Sequence, residues 1–322
     1  MKKSELNSKW ENIASFKNKK DYKALRITED SVPDLFLAND EDGYRCLLLF
    51  LPEKVDVKLK DIDKNKLLIS FLPSKGIVLI KLKDYDFKDL FDDLILSIYS
   101  KINLISEPID ASKEFIKTFY KWALFFEDKK VKKLGEEQIQ GLFGELFILS
   151  EYLKKPDQSN VNVILDSWKG LYDAANDFEF DLKNVEVKSK KESILFVKIS
   201  SEFQLEKKLD KDLELLVVSL KLDLIEGRSL HDMILEIVKL IRKNHGDLSI
   251  LFQALNQKGL NTENLKQYNN YKYIVIKTES FDAGIDSFPK LTVLNIDTEV
   301  SNLKYKLRVS NLNEFLIEKK TF

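Results

Sequence analysis

At 322 residues, 44% hydrophobic and 33% charged with only 10 Gly and 6 Pro, the chain has apolar material for more than one core; disorder is excluded for most of its length. Fifty-two Lys plus Arg against 53 Asp plus Glu leave a net charge of -1, which excludes the overall basic field of an autonomous, tight nucleic-acid binder. The single cysteine, Cys46, excludes an internal disulfide framework and any Cys-rich zinc or iron–sulfur site, and fits a reducing cytoplasm.

Met1 to Leu6 is polar and runs into Lys-rich sequence without an apolar h-region, and no stretch reaches about 18 uncharged apolar residues, so a soluble, unexported, cytoplasmic protein with no membrane contact is expected. From Asp21 to Lys83, strand-like runs recur at Leu35–Ala38, Arg45–Leu51, Leu67–Leu72 and Ile77–Leu82. Asn39 to Gly43 and Pro73 to Gly76 read as the turns that join them in pairs. Helical spacing follows over Phe87–Tyr99 and Lys113–Phe126, and a break at Ser106-Glu107-Pro108 precedes a helix start at Ala111-Ser112. The expectation is a β-rich α+β domain over residues 1–108, with a docking or DNA-recognition role.

A helix is predicted over Glu136–Leu153, with Ile139, Leu142, Phe143, Leu146 and Phe147 on one stripe. Asp177 to Phe180, the turn Asp181 to Asn184, Val185 to Lys188 and then Ile194 to Ile199 read as a three-stranded meander. The apolar run Leu213–Leu220 precedes a helix over Leu230–Lys243 that opens with a capping box at Ser229-Leu230-His231-Asp232. A strand followed by a crossover helix implies a mixed sheet. Tyr271–Lys277, Leu291–Asn295 and Leu303–Val309 are expected as short strands that either extend that sheet or pack on the first half, so that residues 250–322 extend or brace a core spanning 109–322.

Alternate side chains of a strand face one way, so Glu186 and Lys188 share a face while Val185 and Val187 turn to the core. A hairpin would bring Asp177 back to Glu186, and two like charges need a cation between them. Magnesium, which takes one or two carboxylates and keeps waters and phosphate oxygens, suits that pair better than zinc. Acid-x-Lys triplets also recur at Asp56, Asp86 and Asp128, so for the pair alone a solvated strand face is the competing reading. The context favours chemistry: an Asp upstream, β-branched neighbours, and Glu145 at the edge of the apolar stripe of a preceding helix.

Gly141-Leu142-Phe143-Gly144-Glu145-Leu146, Trp168-Lys169-Gly170, Asp177-Phe178, Val185-Glu186-Val187-Lys188-Ser189 and Ile199 to Leu205 together resemble the bacterial PD-(D/E)XK motif protein family of the PD-(D/E)XK nuclease superfamily. The resemblance is concentrated between Gly141 and Leu205, extends more weakly through Phe288-Pro289-Lys290-Leu291, and leaves residues 1–105 unaddressed. It implies an α/β restriction-endonuclease-like core, a mixed central sheet flanked by helices. It also implies a magnesium-dependent DNA endonuclease, manganese able to substitute, from a restriction or anti-phage system with ATPase or methyltransferase partners; a homo-oligomer is compatible with it. Under it Asp177 and Glu186 are metal ligands, the Val187 carbonyl and Glu145 further ones, and Lys188 orients the attacking water. Gln204 resembles the Gln that some branches place beside the catalytic Lys, with a surface Gln as its alternative. Asn176 stands where the motif Pro is usual.

A noncatalytic DNA-binding or scaffolding subunit that keeps the fold is the alternative function. His231 and His245 lack a ligand pattern, and Trp10, Trp122 and Trp168 read as packing residues. Among the lysine clusters at 129–133, 188–191 and 207–208, only Lys190 and Lys191 gain from lying next to the site.

Overall fold

The computed structural model describes residues 1–15, 23–52, 58–126, 133–154, 161–172, 174–261 and 264–322, so most of the lysine cluster at 129–133 lies outside the described residues. The chain divides into two compact units, Met1–Lys129 and Lys130–Phe322. Among the described residues no helix is long and apolar enough to cross a membrane.

The first unit holds α1 (Lys3–Ser15), strands β1 (Lys23–Arg26), β2 (Asp34–Asn39), β3 (Arg45–Phe50), β4 (Ile62–Asp63), β5 (Leu67–Leu72) and β6 (Ile77–Leu82), then α2 (Lys88–Ile102) and α3 (Pro108–Ala123). The strands form one antiparallel sheet in the order β1-β2-β3-β6-β5-β4. Both expected hairpins form. Gly76 closes the second with φ +61°, and a Cβ there would stand 2.6 Å from the Leu51 carbonyl oxygen. The division falls at Lys129 rather than at 108. The expected break separates α2 from α3, and α3 starts at Pro108 rather than at Ala111, since proline is pre-organised for the first helical position; Phe115, Phe119 and Trp122 of α3 are buried.

The second unit runs α4 (Glu136–Lys154), α5 (Val161–Ser167), β7 (Phe178–Glu179), β8 (Lys183–Lys191), β9 (Phe196–Ile199), β10 (Asp212–Leu222), α6 (Leu230–Lys243), α7 (Leu248–Gln257), β11 (Tyr273–Asp282), β12 (Tyr305–Arg308) and β13 (Leu316–Thr321). Its main sheet has the order β13-β11-β10-β8-β7, with β8 and β10 parallel and the other pairs antiparallel. The fold is the mixed α/β class expected, but the parallel pair has another origin. The chain passes from β8 to β10 through β9, whereas α6 links β10 to the antiparallel β11.

Two expectations need correction. β9 leaves the meander and pairs with β12 in a separate ribbon, because Val197 and Ile199 bury against Leu205, Leu213, Leu215 and Phe281 on the sheet's face. Residues 291–295 form turns, tied by Thr292 N–H to Asn295 Oδ1 and by Asn295 Nδ2 to the Lys290 carbonyl. Their place as a strand is taken by β13, Leu316-Ile317-Glu318-Lys319-Lys320-Thr321, which is exposed from end to end and shows no alternation of apolar and polar residues. α6 has the predicted limits and capping box.

Candidate active site

α4 lies directly on β8. A Cβ on Gly144 would stand 1.9 Å from Ser189 Oγ, so the approach depends on glycine, and Gln140 Nε2 donates to the Ser189 carbonyl at 3.0 Å. Val185, Val187 and Ser189 thus face α4, and strand alternation turns Glu186 and Lys188 to the opposite face. The next residue of α4, Glu145, reaches the open edge of β8, where β7 covers only Asn184 and Val185.

Asp177 sits in a bend immediately before β7. Its carbonyl accepts the Lys169 and Gly170 N–H groups at 2.7 and 3.1 Å, and its Oδ2 accepts the Val187 N–H at 2.8 Å. The hairpin therefore places the first motif acid against the second strand, as anticipated. Because the N–H and C=O of one strand residue leave by the same edge, the Val187 carbonyl faces Asp177.

Lys188 Nζ lies 2.7 Å from Glu186 Oε1 and donates to Gln204 Oε1 at 3.1 Å. Gln204 is fixed in turn: its Oε1 also accepts the Ser200 N–H at 2.7 Å, and its backbone carbonyl accepts Asn176 Nδ2 at 2.8 Å. Gln204 stands in the turn after β9. On the other side, Trp168 Nε1 donates to Glu145 Oε2 at 2.9 Å. Glu145 Oε2 and Asp177 Oδ1 both crowd the point where a Cβ on Gly170 would stand, at 2.3 and 2.7 Å.

The structure thus gathers Glu145, Asp177, Glu186, Lys188 and Gln204 around one strand edge. Glu186 is 0% exposed, and beyond the Lys188 contact neither of its carboxylate oxygens receives a well-formed hydrogen bond. Burial and then the Asp177 charge push its carboxyl up to about 8. Burial followed by Asp177 raises Glu145 well above the usual carboxylate range. Burial also raises Asp177, against the pull of Lys188 and the Val187 N–H. For Lys188 burial works downward, but Glu186 and Asp177 outweigh it and hold the ammonium above its ordinary value.

Among the described residues, no three His, Cys, Asp or Glu side chains form a group that could hold an ion by themselves. Magnesium does not require three. Two buried carboxylates, Asp177 and Glu186, beside a strand carbonyl fit its sparse oxygen set; the poorly satisfied oxygens of Glu186, and a Gly170 whose missing Cβ lets Glu145 and Asp177 approach each other, support that fit.

Three residues of the site were not predicted for it. Trp168 does pack, at 1% exposure, yet its indole N–H holds Glu145; its place next to Lys169-Gly170 was the available signal. Asn176, in the motif proline's position, contributes an amide that anchors the Gln204 turn. Tyr305, opposite Ile199 on β12, lies within the field of Lys188, and its hydroxyl accepts the Leu291 N–H at 3.1 Å. Burial raises its pKa, against that N–H and the lysine. His231 lies in the first turn of α6 and His245 two residues beyond its end.

An acid at the bend before a hairpin, an acid-x-Lys on its second strand, and an acid from the helix packed beneath define the PD-(D/E)XK class of nuclease-like site on a restriction-endonuclease-like α/β fold. A family model described as "Putative PD-(D/E)XK family member, (DUF4420)" matches residues 6–310, and the chain belongs to that family. Searches of curated proteins and of solved structures gave no match.

Proposed function

We propose that the protein is a magnesium-dependent DNA endonuclease, manganese able to substitute, acting as a cytoplasmic subunit of a bacterial restriction or anti-phage defence system. The observation that carries this reading is Lys188: a buried ammonium clasped by Glu186 and Gln204 at the edge where Asp177 and the Val187 carbonyl meet. An ion pair of that geometry is costly to bury and adds little to stability, which suits a functional rather than a structural role.

Asp177 and Glu186 would hold the ion, with the Val187 carbonyl and Glu145 as further ligands. When bound, it supplies polarisation of the phosphoryl oxygen and a more acidic attacking water. Lys188 cannot ligate a cation; its N–H groups orient the water and stabilise charge that develops on the phosphoryl oxygens. Gln204 fixes the direction of that ammonium, and Trp168 fixes Glu145. The complete set of Asp177, Glu186 and Lys188 speaks against the alternative of a noncatalytic scaffold.

The test is DNA cleavage by wild type and by Lys188→Met and Asp177→Asn, in magnesium and in EDTA. Cleavage by wild type in magnesium alone supports the reading. Equal cleavage by folded Lys188→Met protein rejects it.

A further inference from the structure

Directly opposed residues of neighbouring strands share a face, so the register carries the Glu186–Lys188 face across the sheet. Lys188 stands opposite Val217 on β10, Val217 opposite Glu279 on β11, and Glu279 opposite Lys319 on β13. The next row on that face reads Lys190, Ser219, Lys277 and Thr321. One end of the face is sealed by the apolar cluster around Leu213, Leu215 and Phe281. The other end carries ammonium groups and hydroxyls.

The groups at that end are incompletely satisfied. Ser219 is 0% exposed, and its Oγ has no hydrogen-bond partner among the described residues. Lys190 is 6% exposed and reaches the Glu192 carbonyl at 3.5 Å, the outer limit of a hydrogen bond. Lys277 and Lys319 share the carboxylate of Glu279, at 2.8 and 3.2 Å. Three ammonium groups therefore meet two carboxylates, Glu279 and the exposed Glu192. Burial, then Lys277, depresses the Lys190 ammonium. An anion with several acceptor oxygens on the partly exposed Lys277 and Lys319 ammonium groups would offset that surplus charge, while the fully buried Ser219 hydroxyl stays out of its reach. The neighbouring lysines are differently engaged: Lys191 pairs with Glu136, and Lys320 with Glu318.

We propose that Lys190, Lys277 and Lys319 form a backbone-phosphate subsite that holds a DNA strand beside the phosphodiester at Lys188. The proposal rests on the nuclease reading and adds to it where the substrate strand runs. Two residues along a strand span about 7 Å, the axial rise of roughly two base pairs at about 3.4 Å each along the duplex.

The experiment measures binding of a short DNA duplex against salt, in magnesium and on a Lys188→Met background so that no strand is cut. Adding Lys190→Met and Lys277→Met should lower the slope of log affinity against log salt by about 1 to 2, while magnesium affinity stays unchanged. Glu279→Gln, which releases Lys277 and Lys319, should tighten binding several-fold, a gain that misfolding does not mimic. Lys191→Met and Lys320→Met should leave the slope alone. If wild type cuts DNA and the slope survives the double substitution, or if Glu279→Gln fails to tighten binding, the subsite is wrong and the nuclease reading stands. If wild type cuts no DNA and the Lys188→Met protein binds none, both fail.

Discussion

Replacing Glu186 by Gln should stabilise the metal-free protein in alkaline solution. The folded chain holds this carboxyl's proton up to about 8, whereas an unfolded chain releases it near 4.5. Between those values the native state binds more protons than the unfolded one, so stability falls as pH rises through the window, by on the order of 5 kcal/mol in the limit. Glutamine keeps the shape and removes the titration. Lys188 loses its nearest partner but keeps Gln204 and the Asp177 field, so the net gain at pH 8 should be about 2 to 3 kcal/mol, below the full value. At pH 5 the advantage should vanish. Hydrogen exchange of the β8 amides in EDTA reports opening free energies for this unit alone. Wild-type protection that stays level from pH 5 to 8, or a Glu186→Gln protein less protected than wild type at pH 8, would refute the reasoning.

Magnesium must displace the proton that Glu186 holds, so its binding at pH 7 should release a proton and strengthen as pH rises, seen by calorimetry in buffers of different ionisation enthalpy. Gly170→Ala would drive a Cβ to 2.3 Å from Glu145 Oε2 and 2.7 Å from Asp177 Oδ1, and should weaken magnesium binding at least tenfold, about 1.4 kcal/mol, with the fold intact by circular dichroism. Gln204→Ala removes the acceptor that directs Lys188 and leaves the Ser200 N–H unpaired; single-turnover cleavage should fall about tenfold or more while magnesium affinity holds, and unaltered kinetics would return Gln204 to a surface role. With a net charge of -1 the isolated chain should be a slow nuclease that a partner or its own first unit must supply with DNA, so submicromolar binding at physiological salt with rapid turnover after deleting residues 1–129 would contradict that restraint.

The site was more legible in the sequence than its surroundings. Glu186 and Lys188 share a face because a strand alternates, and Asp177 returns to that strand because Asp181 to Asn184 can turn; both are local rules. Gln204 lies four residues from Ser200, so its capture of that N–H is also a near-neighbour event. Trp168 and Tyr305 escaped because their roles depend on tertiary pairing, Trp168 with Phe178 and Tyr305 with Ile199. The spacing of β9 fits the third strand of a meander, and only the competition between the sheet edge and the apolar bed of Leu205 and Leu213 decides otherwise. β13 is legible only through its partner β11, because its own residues are exposed from end to end.

Manganese, read by electron paramagnetic resonance, tests most directly whether the acids around Lys188 are a metal centre. Wild type should bind one ion tightly per chain, Lys188→Met should retain it, and Asp177→Asn combined with Glu186→Gln should lose it. Equal binding by wild type and the double variant would contradict the assignment.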